Sequence, residues 1–277
     1  MMNTLLVPLD FSETSDNALS YAVGLANYLA ADIVLLHVVP LPINGNGYEV
    51  LTYTLKDSLE TGRELLKQKS RQLKSEHGLL GDVSYFAEIG NLNSIINDYT
   101  NKKAVDLIVM GISGYGTKAE QVLFGSNAVS VSRESKVLVL IIPKNYQYKK
   151  ITGIAYASQY DCHMKEHIGL IQIKDIVFVF NAQLNVLHVI PDNHLIDEAE
   201  AEADLYVEEK LENIDHKTFI LSHDRVSVAL LDFIKTHDID IIVLEQKKQS
   251  FFHRLIYPSA TKEVAFNSPI PILTIHS

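Results

Sequence analysis

Asp106-Leu-Ile-Val-Met-Gly-Ile-Ser-Gly-Tyr-Gly-Thr-Lys-Ala-Glu-Gln-Val-Leu-Phe-Gly-Ser126 decides the reading of this chain. An apolar run, Asp106–Met110, leads into a glycine-bearing stretch. Gly125-Ser126 then opens a helical pattern. Glycines at a strand end let a backbone approach a ligand closely. Free backbone N–H groups at a helix start attract anions, phosphate above all. The segment predicts a strand–loop–helix unit with a phosphate or nucleotide site in the first half of the chain.

Outward from this segment, the chain repeats itself. Val34-Leu-Leu-His-Val-Val-Pro40 returns as Asn185-Val-Leu-His-Val-Ile-Pro191, and Asp106-Leu-Ile-Val-Met110 as Asp240-Ile-Ile-Val-Leu244. Phe124-Gly-Ser-Asn-Ala128 returns as Tyr257-Pro-Ser-Ala-Thr261, and Val137-Leu-Val-Leu-Ile-Ile-Pro143 as Ile270-Pro-Ile-Leu-Thr-Ile-His276. The order is kept, so the pattern is a tandem duplication. The polar stretch Lys144–Lys150 separates the copies, which predicts domains over 1–144 and 150–277.

Each copy alternates strands with helices. In the first, strands are expected near Thr4–Leu9, Asp32–Val38, Val83–Ala87, Asp106–Met110 and Val137–Ile142. Continuous Val, Leu and Ile runs suit strands buried on both faces of a parallel sheet. Ala18, Leu19, Ala22, Val23, Ala26 and Leu29 repeat at helical spacing, with Ser12 or Thr14 as the candidate cap. A longer helix is expected from roughly Leu55 to His77. In the second copy, Gly169–Phe180 is strand-like by local pattern, but the repeat makes it the first helix. The fold class is α/β, doubly wound, with ligands expected at the carboxyl ends of the strands.

The bulk numbers fit this. A chain of 277 residues, 47% hydrophobic and 21% charged, suits two ordinary globular domains. A formal charge of −10 argues against nucleic acid or an anionic membrane as the main partner. The single cysteine, Cys162, excludes an internal disulfide framework and fits a reducing compartment. The N-terminus has no basic region before its apolar run, and no apolar run is long enough to span a bilayer. A cytoplasmic location is expected.

Two familiar nucleotide motifs fail. Gly111 to Gly116 has the first spacing of a P-loop, but Thr117-Lys118 inverts its ending and the segment follows the fourth strand. No dinucleotide fingerprint follows the first strand. What remains is Pro8-Leu-Asp10 at the first strand end, His37-Val38 at the second, and Gly111-x-x-Gly114 with Gly125-Ser126 after the fourth. This combination resembles the universal stress protein family in tandem form, over nearly the whole chain. The resemblance implies two doubly wound, parallel five-stranded sheets of the adenine nucleotide alpha hydrolase-like kind. ATP-binding members carry Gly-x-x-Gly, nine residues, then Gly-Ser/Thr. Here ten residues separate Gly114 from Gly125, and the extra one is placed near Tyr115-Gly116.

By this resemblance Asp10 lies at the ribose and adenosine end, and Val38 meets the adenine. Gly111 approaches the ribose, and Gly114, Gly125, Ser126 and Asn127 cradle phosphates. Each residue also has a plainer reading: Asp10 as a helix cap, Val38 as core, the glycines as turn formers. In copy two, Gln159 stands for Asp10, Glu245 for Gly111, Lys248 for Gly114 and Pro258 for Gly125. A carboxylate repels phosphate and proline lacks an N–H, so this copy is read as a degenerate, structural and partner-facing domain. Phe251, Phe252 and Leu255 are expected to close its crevice.

Cys162, His163 and His167 have a spacing that can hold zinc, but no fourth ligand stands nearby, and surface histidines are the simpler reading. His37 and His188 read as core histidines. The implied function is a regulatory stress-response protein that binds ATP, with or without Mg²⁺, and is not an enzyme. A weak ATP hydrolase and a nucleotide-free scaffold are the alternatives. The family also implies pairing through the last strands, as an intrachain pseudo-dimer or a homodimer.

Overall fold

The structure is a computed structural model that describes residues 2–41, 48–75, 78–113, 125–157, 168–192, 194, 198–246 and 257–276. The chain divides into two compact units, Met1–Tyr148 and Lys149–Ser277.

In the first unit the strands are β1 (Thr4–Pro8), β2 (Asp32–Val39), β3 (Val83–Ile89), β4 (Leu107–Ile112) and β5 (Leu138–Pro143). They lie in the order β3-β2-β1-β4-β5, all parallel. The helices are α1 (Glu13–Leu29), α2 (Tyr48–Ser75), α3 (Leu92–Lys102) and α4 (Gly125–Glu134). The central strands are apolar on both faces because both are covered: Leu5, Leu6, Val7, Leu35, Leu36, Ile108 and Val109 are fully buried. The chain leaves β1 toward β2 on one side and later returns to β4 on the other. The carboxyl ends of β1 and β4 therefore part around a crevice, the usual ligand position of such sheets.

Helix α1 starts at Ser12, whose hydroxyl accepts from the Ser15 N–H at 3.2 Å, and ends at Ala30 in the left-handed conformation. Helix α2 begins earlier than its apolar pattern suggests, at Tyr48, because no glycine or proline interrupts residues 48–61.

The second unit repeats the plan with β6 (Gly153–Ala157), β7 (Gln183–Ile190), β8 (His216–Ser222), β9 (Ile241–Gln246) and β10 (Ile272–His276). The order is β8-β7-β6-β9-β10, again parallel. Its helices are α5 (Ile168–Phe180), α6 (Glu198–Leu211), α7 (Val226–Thr236) and α8 (Tyr257–Asn267). The ambiguous stretch is helical: Leu170, Ile173, Val177 and Phe180 are buried at helical spacing, while Ile171 and Phe178 are exposed. Apolar residues on the outer face had hidden the helical period.

The duplication extends to individual hydrogen bonds. Asp106 Oδ2 accepts from the Asn3 and Thr4 N–H groups at 2.7 and 3.0 Å. Asp240 Oδ2 accepts likewise from Thr152 and Gly153 at 2.7 and 3.0 Å, and from the Thr152 hydroxyl at 2.9 Å. Each aspartate thus fastens the first strand of its unit to the fourth. Burial would raise the Asp240 carboxyl, but the Lys149 ammonium and these donors hold it below the usual range. Ser135 and Ser268 form the second pair, each exchanging two hydrogen bonds with the residue two positions on.

The segment read as a polar linker belongs largely to the first unit. The Asn17 side chain donates to the Pro143 and Tyr146 carbonyls at 3.2 and 3.3 Å. Tyr148 sits edge-on to Tyr21 at 5.3 Å between ring centroids, over Gly24, where a Cβ would lie 2.4 Å from the ring. Burial, helped by the nearby Tyr28, pushes the Tyr148 hydroxyl up to about 12.

Candidate functional site

The crevice between the ends of β1 and β4 is a cavity of about 440 Å³. Asp10, Val38, Gly111 and Asn127 all line it, so four of the seven residues singled out in sequence meet there. Gly125 and Ser126 open α4; the Ser126 side chain and Gly114 lie outside the described residues.

Asp10 ends up in the cavity because the chain turns sharply after β1. Phe11 takes a positive φ of 61°, which swings the chain toward α1. Asp10 does not cap that helix; Ser12 does. Asp10 Oδ1 instead accepts from the Ser12 N–H at 3.0 Å and from its hydroxyl at 2.6 Å. This holds the carboxylate at the cavity mouth, where Oδ2 has no hydrogen-bond partner among the described residues. Phe11 packs on His37 with ring centroids 4.6 Å apart. His37 Nδ1 donates to the Leu9 carbonyl at 2.7 Å, since a carbonyl can only accept. His37 therefore braces the β1 turn. Gly62 of α2 is small enough to pass it: a Cβ there would come within 2.5 Å of the His37 ring.

Gly111 has a packing reason of its own. A Cβ there would lie 2.4 Å from the Thr14 carbonyl oxygen, so only glycine lets the first turn of α1 close onto β4. The same close approach leaves bare backbone at the cavity wall. Val38 and Leu36 supply the apolar side from β2, and Met110 from β4.

The third wall was not legible in sequence. Asn91 N-caps α3, accepting from the Ser94 N–H at 3.1 Å. Asn93 Nδ2 donates to Ser130 Oγ at 2.8 Å, and Ser130 donates to Glu134 Oε1 at 3.2 Å. Asn91, Asn93 and Ser130 all face the cavity. A polar residue right after a strand and before an apolar period marks Asn91 as a cap. Nothing local pairs Asn93 with Ser130.

In the second unit the matching positions are filled. The strand registers place Glu245 where Gly111 stands and Tyr156 where Val7 stands. The Tyr156 hydroxyl donates to Glu245 Oε2 at 2.7 Å. The Glu245 carboxylate presses on Gly169 of α5, where a Cβ would be 2.7 Å away. At the third wall Arg225 stands for Asn91, Ser227 for Asn93 and Glu263 for Ser130. Arg225 pairs with Glu263, and the Ser227 hydroxyl donates to it at 2.7 Å. Pro258 lies within α8; Gln159, Lys248 and Phe251, Phe252 and Leu255 lie outside the described residues. So do Cys162, His163 and His167. Among the described residues no group of three or more His, Cys, Asp or Glu could hold a metal ion, and no helix is long and apolar enough to cross a membrane.

The model of the universal stress protein family matches residues 1–143 and 179–276, and the chain belongs to that family. It is 31% identical over 146 residues to the universal stress protein MJ0531 of Methanocaldococcus jannaschii, covering 50% of this chain and 81% of that one. It is 28% identical over 163 residues to MJ0577 of the same organism, covering 52% and 96%. In structure it resembles a universal stress protein from Archaeoglobus fulgidus along its whole length, with a TM-score of 0.71, 18% identity and coverage of 100% and 97%. Relatives that match half of this chain fit its tandem organisation.

Proposed function

We propose that the first unit binds an adenine nucleotide in the β1–β4 crevice, and that the chain acts as a nucleotide-responsive regulatory protein. One observation carries this reading: Asp10, Val38, Gly111 and Asn127, drawn from four separate elements, line one cavity at the switch point of the sheet. The arrangement supplies an apolar slot at Val38 and Leu36 for a base and a carboxylate at Asp10 for ribose hydroxyls. Bare backbone at Gly111 and the start of α4 suit phosphate. One solved universal stress protein is a complex with cAMP; that is a property of that protein, and the proposal for this chain rests on its own crevice. ATP, with or without Mg²⁺, is the expected ligand class. Hydrolysis is not assigned, because Asp10 is the one carboxylate lining the described walls and one of its oxygens is held by Ser12.

The second unit is proposed as the non-binding copy, its crevice filled by Glu245. The experiment is nucleotide extraction from the purified full chain, followed by thermal unfolding with added adenine nucleotides. A ligand that binds only the native state at 100 times its Kd stabilises it by about 2.7 kcal/mol. The transition should rise with one nucleotide bound per chain. No shift with any adenine nucleotide at millimolar concentration sinks the proposal.

A further inference from the structure

We infer that the first-unit crevice is built for an adenine ligand with a single phosphoryl group, and that it takes ATP well only when a divalent cation accompanies it. This rests on the nucleotide reading above and narrows it.

The argument is one of charge. Among the described residues lining the cavity, Asp10 is the single charged side chain, and it is an anion. The polar groups beside it, on Ser12, Thr14, Asn91, Asn93, Asn127 and Ser130, are neutral. The residues between Ser113 and Gly125 add one cation and one anion, Lys118 and Glu120, so by sequence they bring no net charge. What attracts a phosphate is then the start of α4, worth roughly half a positive charge. A phosphate monoester carries about −1.5 to −2 at neutral pH, and each further phosphoryl group adds another negative charge that this chain does not match.

The wall beyond that helix start opposes a longer phosphate chain. Ser130 lies one turn along α4 from Asn127, tied across to Asn93. It donates onward to Glu134, so the next turn presents a carboxylate. The second unit shows what a cationic wall would require: Arg225 occupies the position of Asn91, and there it is spent on Glu263. The first unit has no such cation among its described lining residues.

The test is calorimetric titration of the full chain with AMP, ADP and ATP, in EDTA and again with Mg²⁺. AMP should bind metal-free at least about tenfold tighter than metal-free ATP, with ADP between them. Raising the salt should narrow that gap, and Mg²⁺ should close most of it. The exposed Asn127→Lys variant should raise the affinity for metal-free ATP more than that for AMP. Metal-free ATP binding as tightly as AMP, or tighter, overturns the charge rule while leaving the nucleotide reading intact. If none of the three binds in either buffer, the nucleotide reading falls and the charge rule falls with it.

Discussion

The two units answer one packing problem in opposite ways. Where the fourth strand of each sheet meets the first helix there is room for one side chain only. In the first unit the strand gives way: Gly111 is bare and the Thr14 carbonyl comes within 2.4 Å of where its Cβ would be. In the second unit the helix gives way: Gly169 is bare, and Glu245 fills the gap with Tyr156 hydrogen-bonded to it. Both solutions are close-packed, and only the first leaves a crevice with exposed backbone. A duplicated domain can therefore lose a ligand site through a single exchange of where its glycine sits.

The largest effect should come from importing the second solution into the first unit. Gly111→Glu without a compensating change on α1 forces atoms into the Thr14 backbone, and overpacking of this kind costs about 3 kcal/mol. Urea unfolding should show the first unit destabilised, and nucleotide stabilisation should disappear. An unchanged transition would break the comparison. Next, Asp240→Asn removes the charged acceptor that fastens β6 to β9, a loss of about 2 kcal/mol. The sign with pH follows from the lowered carboxyl. Its stabilisation is complete above the ordinary aspartate value, about 3.9, and is lost as pH falls through the lower native value. The difference between wild type and Asp240→Asn in chemical unfolding should thus be full near neutrality and shrink on acidification below about pH 4.

Tyr156→Phe leaves Glu245 without its hydroxyl donor and should cost about 1.5 kcal/mol. The second unit should still fail to bind nucleotide, since Glu245 remains; a second bound nucleotide per chain in calorimetry would show that the plug depends on the tyrosine. The smallest effect is expected from Gly24→Ala, about 1 kcal/mol. It should displace the Tyr148 ring and let its titration, read by ultraviolet absorbance, fall from about 12 toward the ordinary tyrosine value near 10. Ring titration unchanged in this variant would show that Tyr148 is not held by its seat on α1.

Much of this was legible in residues alone, and the limits are instructive. Apolar runs at Leu5–Val7 and Leu107–Met110 mark buried parallel strands because both faces of such strands are covered. Repetition assigned Ile168–Phe180 to a helix where local pattern misled. The Lys144–Lys150 stretch reads as a polar linker by composition. Composition does not reveal that Tyr146 and Tyr148 fold back onto α1, because that contact depends on the absence of a side chain at Gly24. Asp10 was legible as a site residue, while its true task of bracing Ser12, with Ser12 as the cap, was not.

Sequence by itself determined the order of strands and helices, the duplication, and the meeting of Asp10, Val38, Gly111 and Asn127 at one end of one sheet. Those follow from local periodicity and from the rule that a parallel sheet opens at its switch point. Only the tertiary structure decided how the walls are finished: the Asn93–Ser130 bridge, the Arg225–Glu263 pair, and the seating of Glu245 against Gly169. These contacts join residues far apart in the chain through gaps a few ångströms wide. Such gaps are set by how whole helices seat on the sheet, which no short stretch of sequence encodes.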